Sequence, residues 1–190
     1  MGNLISNLDP QLVQKEKENK EYIDDHILHV NIAFNDYFLI LLENQVTNSD
    51  DQFMYEFKNA IYDCAELISV HDLSKYSNEE FDAYRLNFYP TTEEKNSPDY
   101  SDRIKEIFDP AWVHHYTNNP HHPQYWLDDN KNPIDMELKY IIEMICDWIA
   151  MSNKFGGTVI DWYNNSAGDE KSYMTENTKR IVEKIFTIIF

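Results

Sequence analysis

Apolar residues recur three and four positions apart along nearly the whole chain, and no segment alternates apolar and polar residues as a half-buried strand does. Only four of the 190 residues are glycine, so long helical runs have few natural breaks. The pattern predicts an all-α fold, one domain over residues 1–190. Apolar residues make up 42% and aromatics 14%, enough to build a core despite a polar surface.

The predicted helices follow from periodicity and punctuation. The first runs from Gln11 to Leu42, with an apolar stripe through Tyr22, Val30, Ala33, Tyr37 and Leu41. Asn48-Ser49-Asp50 is a turn and cap before a second helix, Gln52 to Val70. Ser77-Asn78-Glu79-Glu80 has the form of a capping box opening a third helix through Phe88. Pro90 to Ser101 is rich in loop-forming residues. Pro110 suits the first turn of a short helix ending at Asn118-Asn119-Pro120. After a turn at Asp128–Pro133 comes the most apolar helix, Ile134 to Lys154, broken by Gly156-Gly157. An amphipathic helix from Thr175 closes the chain.

Charge excludes several functions. Asp and Glu number 34 against 16 Lys and Arg, a net charge of −18. Binding to duplex nucleic acid requires a cationic footprint, and docking on anionic lipid requires basic clusters; the chain has neither. No apolar run is long enough to span a bilayer and the N-terminus is too polar for a secretion signal, so a cytoplasmic protein is expected. Met1-Gly2-Asn3-Leu4-Ile5-Ser6 fits an N-myristoylation pattern, but a single acyl chain without a basic patch anchors weakly. Cys64 and Cys146 stand far apart in apolar runs and are expected to be reduced core thiols. An anionic substrate would need positive charge from elsewhere, which points to a metal.

The histidines are distinctive in placement. His114, His115, His121 and His122 crowd one proline-flanked stretch, Trp112 to Pro123. His71-Asp72 ends the second helix, with Lys75 just beyond, although a basic residue at a helix C-terminus also complements the dipole. Asp147 interrupts the apolar helix, where a carboxylate is costly unless paired or metal-bound. Glu143, one turn earlier, is a candidate acceptor for a ligating imidazole. His26 and His29 share nearly one face of the first helix, and periodicity does not choose between them.

Taken in order, His26, His71-Asp72, His115, His121-His122 and Asp147 resemble the HD-domain superfamily of metal-dependent phosphohydrolases. His71-Asp72-Leu73-Ser74-Lys75 is similar to the family's HDxGK element, and His121-His122 to the paired histidines of the HD-GYP branch. The closest likeness is to a small HD-like family of bacteria and phages. There a Tyr and His on the first helix precede HDLSK, an AW…H…HH stretch and MICDW. The resemblance implies an HD-like helical bundle with His26, His71, Asp72, His115 and Asp147 as metal ligands, completed by one or both of His121 and His122. Within it His26 is preferred to His29 because it stands four residues before Val30.

The resemblance further implies two divalent ions, of Mn, Fe, Mg, Co or Zn, bridged by Asp72. The expected reaction is hydrolysis of a small phosphorylated substrate, a nucleotide first among them. Lys75 would stabilise the phosphoryl charge, and His114, or whichever of His121 and His122 is not a ligand, would protonate the leaving oxygen. Tyr84, Trp126 and Trp148 are candidate stacking surfaces. The GYP portion is absent, which argues against a cyclic dinucleotide. Tyr22 stands where a third-metal Glu would be, which argues for two ions. HD-fold di-iron oxygenases share the pattern, and a non-catalytic metal-containing module is a further alternative.

Overall fold

The computed structural model of the protein describes residues 9–43 and 52–190. The N-terminal acylation pattern and the Asn48-Ser49-Asp50 turn lie outside the described residues. In chain order the elements are α1 (Pro10–Phe34), a π-helical turn (Asn35–Leu39), α2 (Ile40–Glu43), α3 (Gln52–Ser69), a 3-10 turn (Leu73–Tyr76), α4 (Phe81–Phe88), α5 (Thr92–Asn96) and α6 (Tyr100–Asn118). A second 3-10 turn (Pro123–Tyr125), α7 (Leu138–Phe155), α8 (Val159–Asn165), α9 (Gly168–Ser172) and α10 (Glu176–Ile189) follow. The fold is all-α: among the described residues the only β feature is an isolated bridge between Leu127 and Pro133. No helix among them is long and apolar enough to cross a membrane.

The chain forms two compact units, each built from two segments: Met1–Asp25 with Leu73–His115, and His26–Asp72 with Tyr116–Phe190. The first has a small core in which Tyr84 of α4 meets Phe108 of α6 edge-on, ring centroids 5.2 Å apart, beside Ala83 and Ala111. That packing explains why Pro110 sits inside α6 and not in a first turn: Phe108, Ala111 and His115 share one helical face, and burying it outweighs the bond lost at the proline. The capping box expected at Ser77–Glu80 does not form. Glu80 holds the N-cap position of α4, but its side chain caps nothing there and turns to histidines of α6.

A capping box forms instead in the predicted loop, where Thr91 and Glu94 exchange bonds and start α5. Glu94 is free to do this and also to accept two bonds from Arg85, at 2.7 and 2.8 Å. The Arg85 guanidinium, by hydrogen bonding foremost, pulls the Glu94 carboxyl down from 4.5 to about 2 against the opposing effect of burial.

The second unit is larger. α3 packs along α7, and α7 also meets α8 and α10. α7 buries Ile141, Ile142, Ile145 and Ile149 against Phe57, Ile61, Cys64 and Ile68 of α3. Each such side chain contributes roughly 1.5–3 kcal/mol on leaving water. α7 starts at Leu138, four residues after the expected Ile134, because the segment before it pairs with the preceding turn: Ile134 N–H donates to the Trp126 carbonyl at 2.9 Å. It ends where expected, at Gly156, whose φ of +79° is left-handed and suits glycine. α10 is capped by Thr175 and buries Thr178, Val182, Ile185 and Phe186 on one stripe. The π-helical turn shifts the first helix's register, so Phe34 and Phe38 are fully buried while Tyr37 and Leu41 pack at the core's edge. Cys64 and Cys146 are free thiols, buried as expected, and burial raises both above their ordinary values.

Glu94 titrates lower folded than unfolded, so its pairing with Arg85 stabilises fully above about pH 4.5 and is lost as pH falls toward 2. Arg85→Met therefore lowers the unfolding free energy by about 2 kcal/mol near neutrality. Urea titrations across the acid range check this: the gap between the two proteins closes toward about pH 2, and a gap independent of pH contradicts it.

Candidate metal centre

α3 ends at Ser69, and the chain tightens through bonds from Val70 and His71 N–H to Leu67 and Ile68 carbonyls. Asp72 then takes φ of +56°, a left-handed conformation that Asp tolerates better than most side chains. This reversal lets neighbouring residues present both an imidazole and a carboxylate to one place. His26 arrives from the C-terminal half of α1, and Glu143 and Asp147 lie one turn apart on α7.

His121 comes from a turn fixed at two points: His122 N–H donates to the Asn119 carbonyl, and the Trp126 indole donates to the Pro120 carbonyl at 2.6 Å. All of these residues belong to the second unit.

The side chains form one buried network. His26 Nε2 lies 3.2 Å from Asp72 Oδ2 and 3.2 Å from Asp147 Oδ1. His71 Nε2 is 3.6 Å from Asp72 Oδ2, and His121 Nε2 is 3.6 Å from Asp72 Oδ1. Asp72 thus turns one oxygen to His26 and His71 and the other to His121. Glu143 Oε1 lies 2.9 Å from His71 Nδ1 and 3.2 Å from His121 Nδ1. A carboxylate only accepts, so it fixes the proton of the His71 ring on Nδ1 and directs its Nε2 lone pair toward Asp72, while His121 Nδ1 stands within ion-pair distance.

His71 Nε2 is buried and makes no hydrogen bond among the described residues. A neutral imidazole lone pair facing a carboxylate is repulsive, and a cation between them resolves the conflict. The donor set therefore fits a divalent metal. Donor atoms of His26, His71 and Asp147 lie within 4.8 Å of one another, as do those of Asp72, His121 and His122, and these clusters could hold a metal ion.

Burial alone would raise the Glu143 carboxyl, but hydrogen bonds with His121 and His71 pull it down to about 2. Asp147 follows the same logic: burial opposes, and the His26 hydrogen bond with the surrounding imidazoles holds its carboxyl well below the usual range.

Lys75, His114 and His115 belong to the first unit. There Glu80, fully buried, lies 2.7 Å from His114 Nδ1 and 2.8 Å from His115 Nδ1. The same acceptor logic places the His115 proton on Nδ1 and leaves Nε2 as its ligand-type nitrogen. Lys75 Nζ sits over the Tyr84 ring, 5.5 Å from its centroid. His29 is exposed, unlike His26. Of the aromatic candidates, Tyr84, Trp126 and Trp148 are all buried core residues of their units, and Trp148 also lines a pocket.

That pocket, about 550 Å³, is lined in part by His121, His122 and Asp147. Its walls come from the second half of α7, the Gly156-Gly157 break and α8, with Glu170 of α9.

A family model described as a family of unknown function (DUF5662) matches residues 15–188. The chain belongs to that family. No curated protein and no solved structure is similar to it.

In this DUF5662 protein the sequence reading missed Glu80 as a partner of His114 and His115, having assigned it to a helix cap. It also missed the pocket wall at Asp161, Trp162 and Glu170, because α8 and α9 are too short for a periodic signal. A cation held only by the folded state adds stability by mass action. Manganese(II) at about a hundred times its dissociation constant raises the unfolding free energy by about 2.7 kcal/mol. A chelator reverses this rise in thermal melts, and Asp72→Asn, which keeps a side chain compatible with the left-handed backbone, abolishes it. An unmoved melting temperature with every divalent metal refutes metal binding at the cluster.

Proposed function

We propose that the protein is a metal-dependent phosphohydrolase of HD type that cleaves a phosphoester with two cations held around Asp72. The observation that carries the reading is the division of the Asp72 carboxylate: one oxygen faces His26 and His71, the other His121. A carboxylate divided in this way could serve cations on either side of it, and the His-Asp order along the sequence resembles the HD superfamily. His26, His71 and Asp147 would hold one ion, and His121 with His122 would hold or flank the other. Bound there, divalent cations supply an acidic water and positive charge for phosphoryl oxygens.

The chain's own residues do the rest. Glu143 orients the His71 imidazole by accepting from its Nδ1 and lies 3.2 Å from His121 Nδ1. His122 is half-buried, its ring 4.3 Å from that of His121, and it lines the pocket. It is suited to hold a proton for the leaving oxygen while His121 stays engaged with Asp72. Trp148, largely buried, contributes to the lining of the same pocket, and nucleotides are the substrate class that the HD resemblance suggests.

Purified protein is expected to contain divalent metal by elemental analysis and to hydrolyse at least one member of a phosphomonoester and nucleotide panel. Asp72→Asn should lose metal and at least about a hundredfold in rate, whereas His29→Ala should match the wild type. Hydrolysis that survives in Asp72→Asn overturns the assignment. Glu143→Gln keeps shape but weakens its hold on the His71 ring proton, and should lower metal affinity by about 10–100-fold in a competition titration.

A further inference from the structure

The pocket beside the histidine–aspartate cluster is chemically lopsided. Its carboxylates are Asp147, Asp161 and Glu170, and among the described residues no lysine or arginine lines it. The bonds that Asp161 and Glu170 accept come from neutral groups. Thr158 Oγ1 donates to Asp161 at 2.7 Å, and Gln124 Nε2 lies 3.3 and 3.4 Å from the Glu170 oxygens. The same lining holds Trp148 and Trp162, ring centroids 4.9 Å apart and tilted by 55°. Met151 and Phe155 complete an apolar wall. Indole faces flanked by carboxylates attract organic cations, through the ring quadrupole and direct charge. The same carboxylates repel a second phosphate.

We infer that this pocket receives an organic ammonium group, so that the substrate is a phosphomonoester whose organic part is cationic. The inference rests on the phosphohydrolase reading for the ester and on the pocket alone for the cation. It ranks an alkylammonium phosphomonoester above nucleotides, and nucleoside di- and triphosphates last. The volume of about 550 Å³ leaves room for the ammonium and the chain that joins it to the ester. The net charge of −18 favours arrival of a cationic group from solution.

The test separates the two readings. Tryptophan fluorescence is titrated with choline and with 3,3-dimethylbutanol, a neutral molecule of the same shape, at constant ionic strength. Choline should bind saturably and at least about tenfold more tightly than the alcohol. Glu170→Gln and Asp161→Asn should each weaken choline binding while metal content stays unchanged. Equal binding of the alcohol, no saturable choline response, or choline binding indifferent to both substitutions overturns the inference. Phosphocholine hydrolysis is then compared with that of nucleotides. Cleavage of nucleotides in preference to phosphocholine also overturns the inference while leaving the phosphohydrolase reading intact. Choline binding without hydrolysis of any phosphoester leaves the cation pocket standing and removes the hydrolase.

Discussion

The carboxylates of Asp72, Glu143 and Asp147 are withdrawn from water among imidazoles of one unit, and the way each is compensated governs the rest of the site. A buried carboxylate costs several kcal/mol unless it is hydrogen-bonded or paired. Glu143 meets the ring proton of His71 with His121 close by, and Asp147 meets His26. Asp72 is left to be shared among three rings. Charging every imidazole does not solve the problem, because the His26, His71, His121 and His122 rings follow one another at centroid separations of 5.5, 4.4 and 4.3 Å. Imidazolium ions that close repel strongly in a low dielectric. Divalent cations meet the lone pairs and the carboxylates together, which is why a metal suits this arrangement better than protons.

Such a cluster keeps its shape only if its supports are stiff. α3 carries His71 and Asp72 at its end, and α7 carries Glu143 and Asp147 near its middle. The isoleucines that lock these two helices also set the spacing of the cluster. The left-handed Asp72 is a local strain that the surrounding contacts sustain. A β-branched residue at position 72 would lose the carboxylate and could not adopt the turn, so backbone and chemistry constrain the position together.

Much of this was legible in residue order because charge and polarity inside an apolar period are costly, and cost is visible. Asp147 stands out in Met144-Ile145-Cys146-Asp147-Trp148, and His71-Asp72 stands at a helix end. Other features carried no local signal. Glu80 resembled a capping residue because Ser77 stands three positions before it, whereas its role depends on histidines more than thirty residues away. The true box, Thr91 to Glu94, lay in a stretch whose proline and polar content masked it. Pro110 inside α6 follows from the packing of Phe108 and Ala111 on Tyr84, a tertiary preference that local propensity cannot register.

The pocket extends the same argument from cost to selectivity. His121, His122 and Asp147 are the lining residues that divalent ions would neutralise; Asp161 and Glu170 belong to no group of possible metal ligands among the described residues. Burial foremost, with the nearby Asp147 and Asp169 carboxylates, raises the Glu170 carboxyl above its ordinary value, so its charge is held at a cost. A pocket that sets carboxylates against indole rings, with no lysine or arginine in its lining among the described residues, favours positive charge over negative. This polarity follows from the lining alone and does not depend on which metal, or how many ions, the cluster holds.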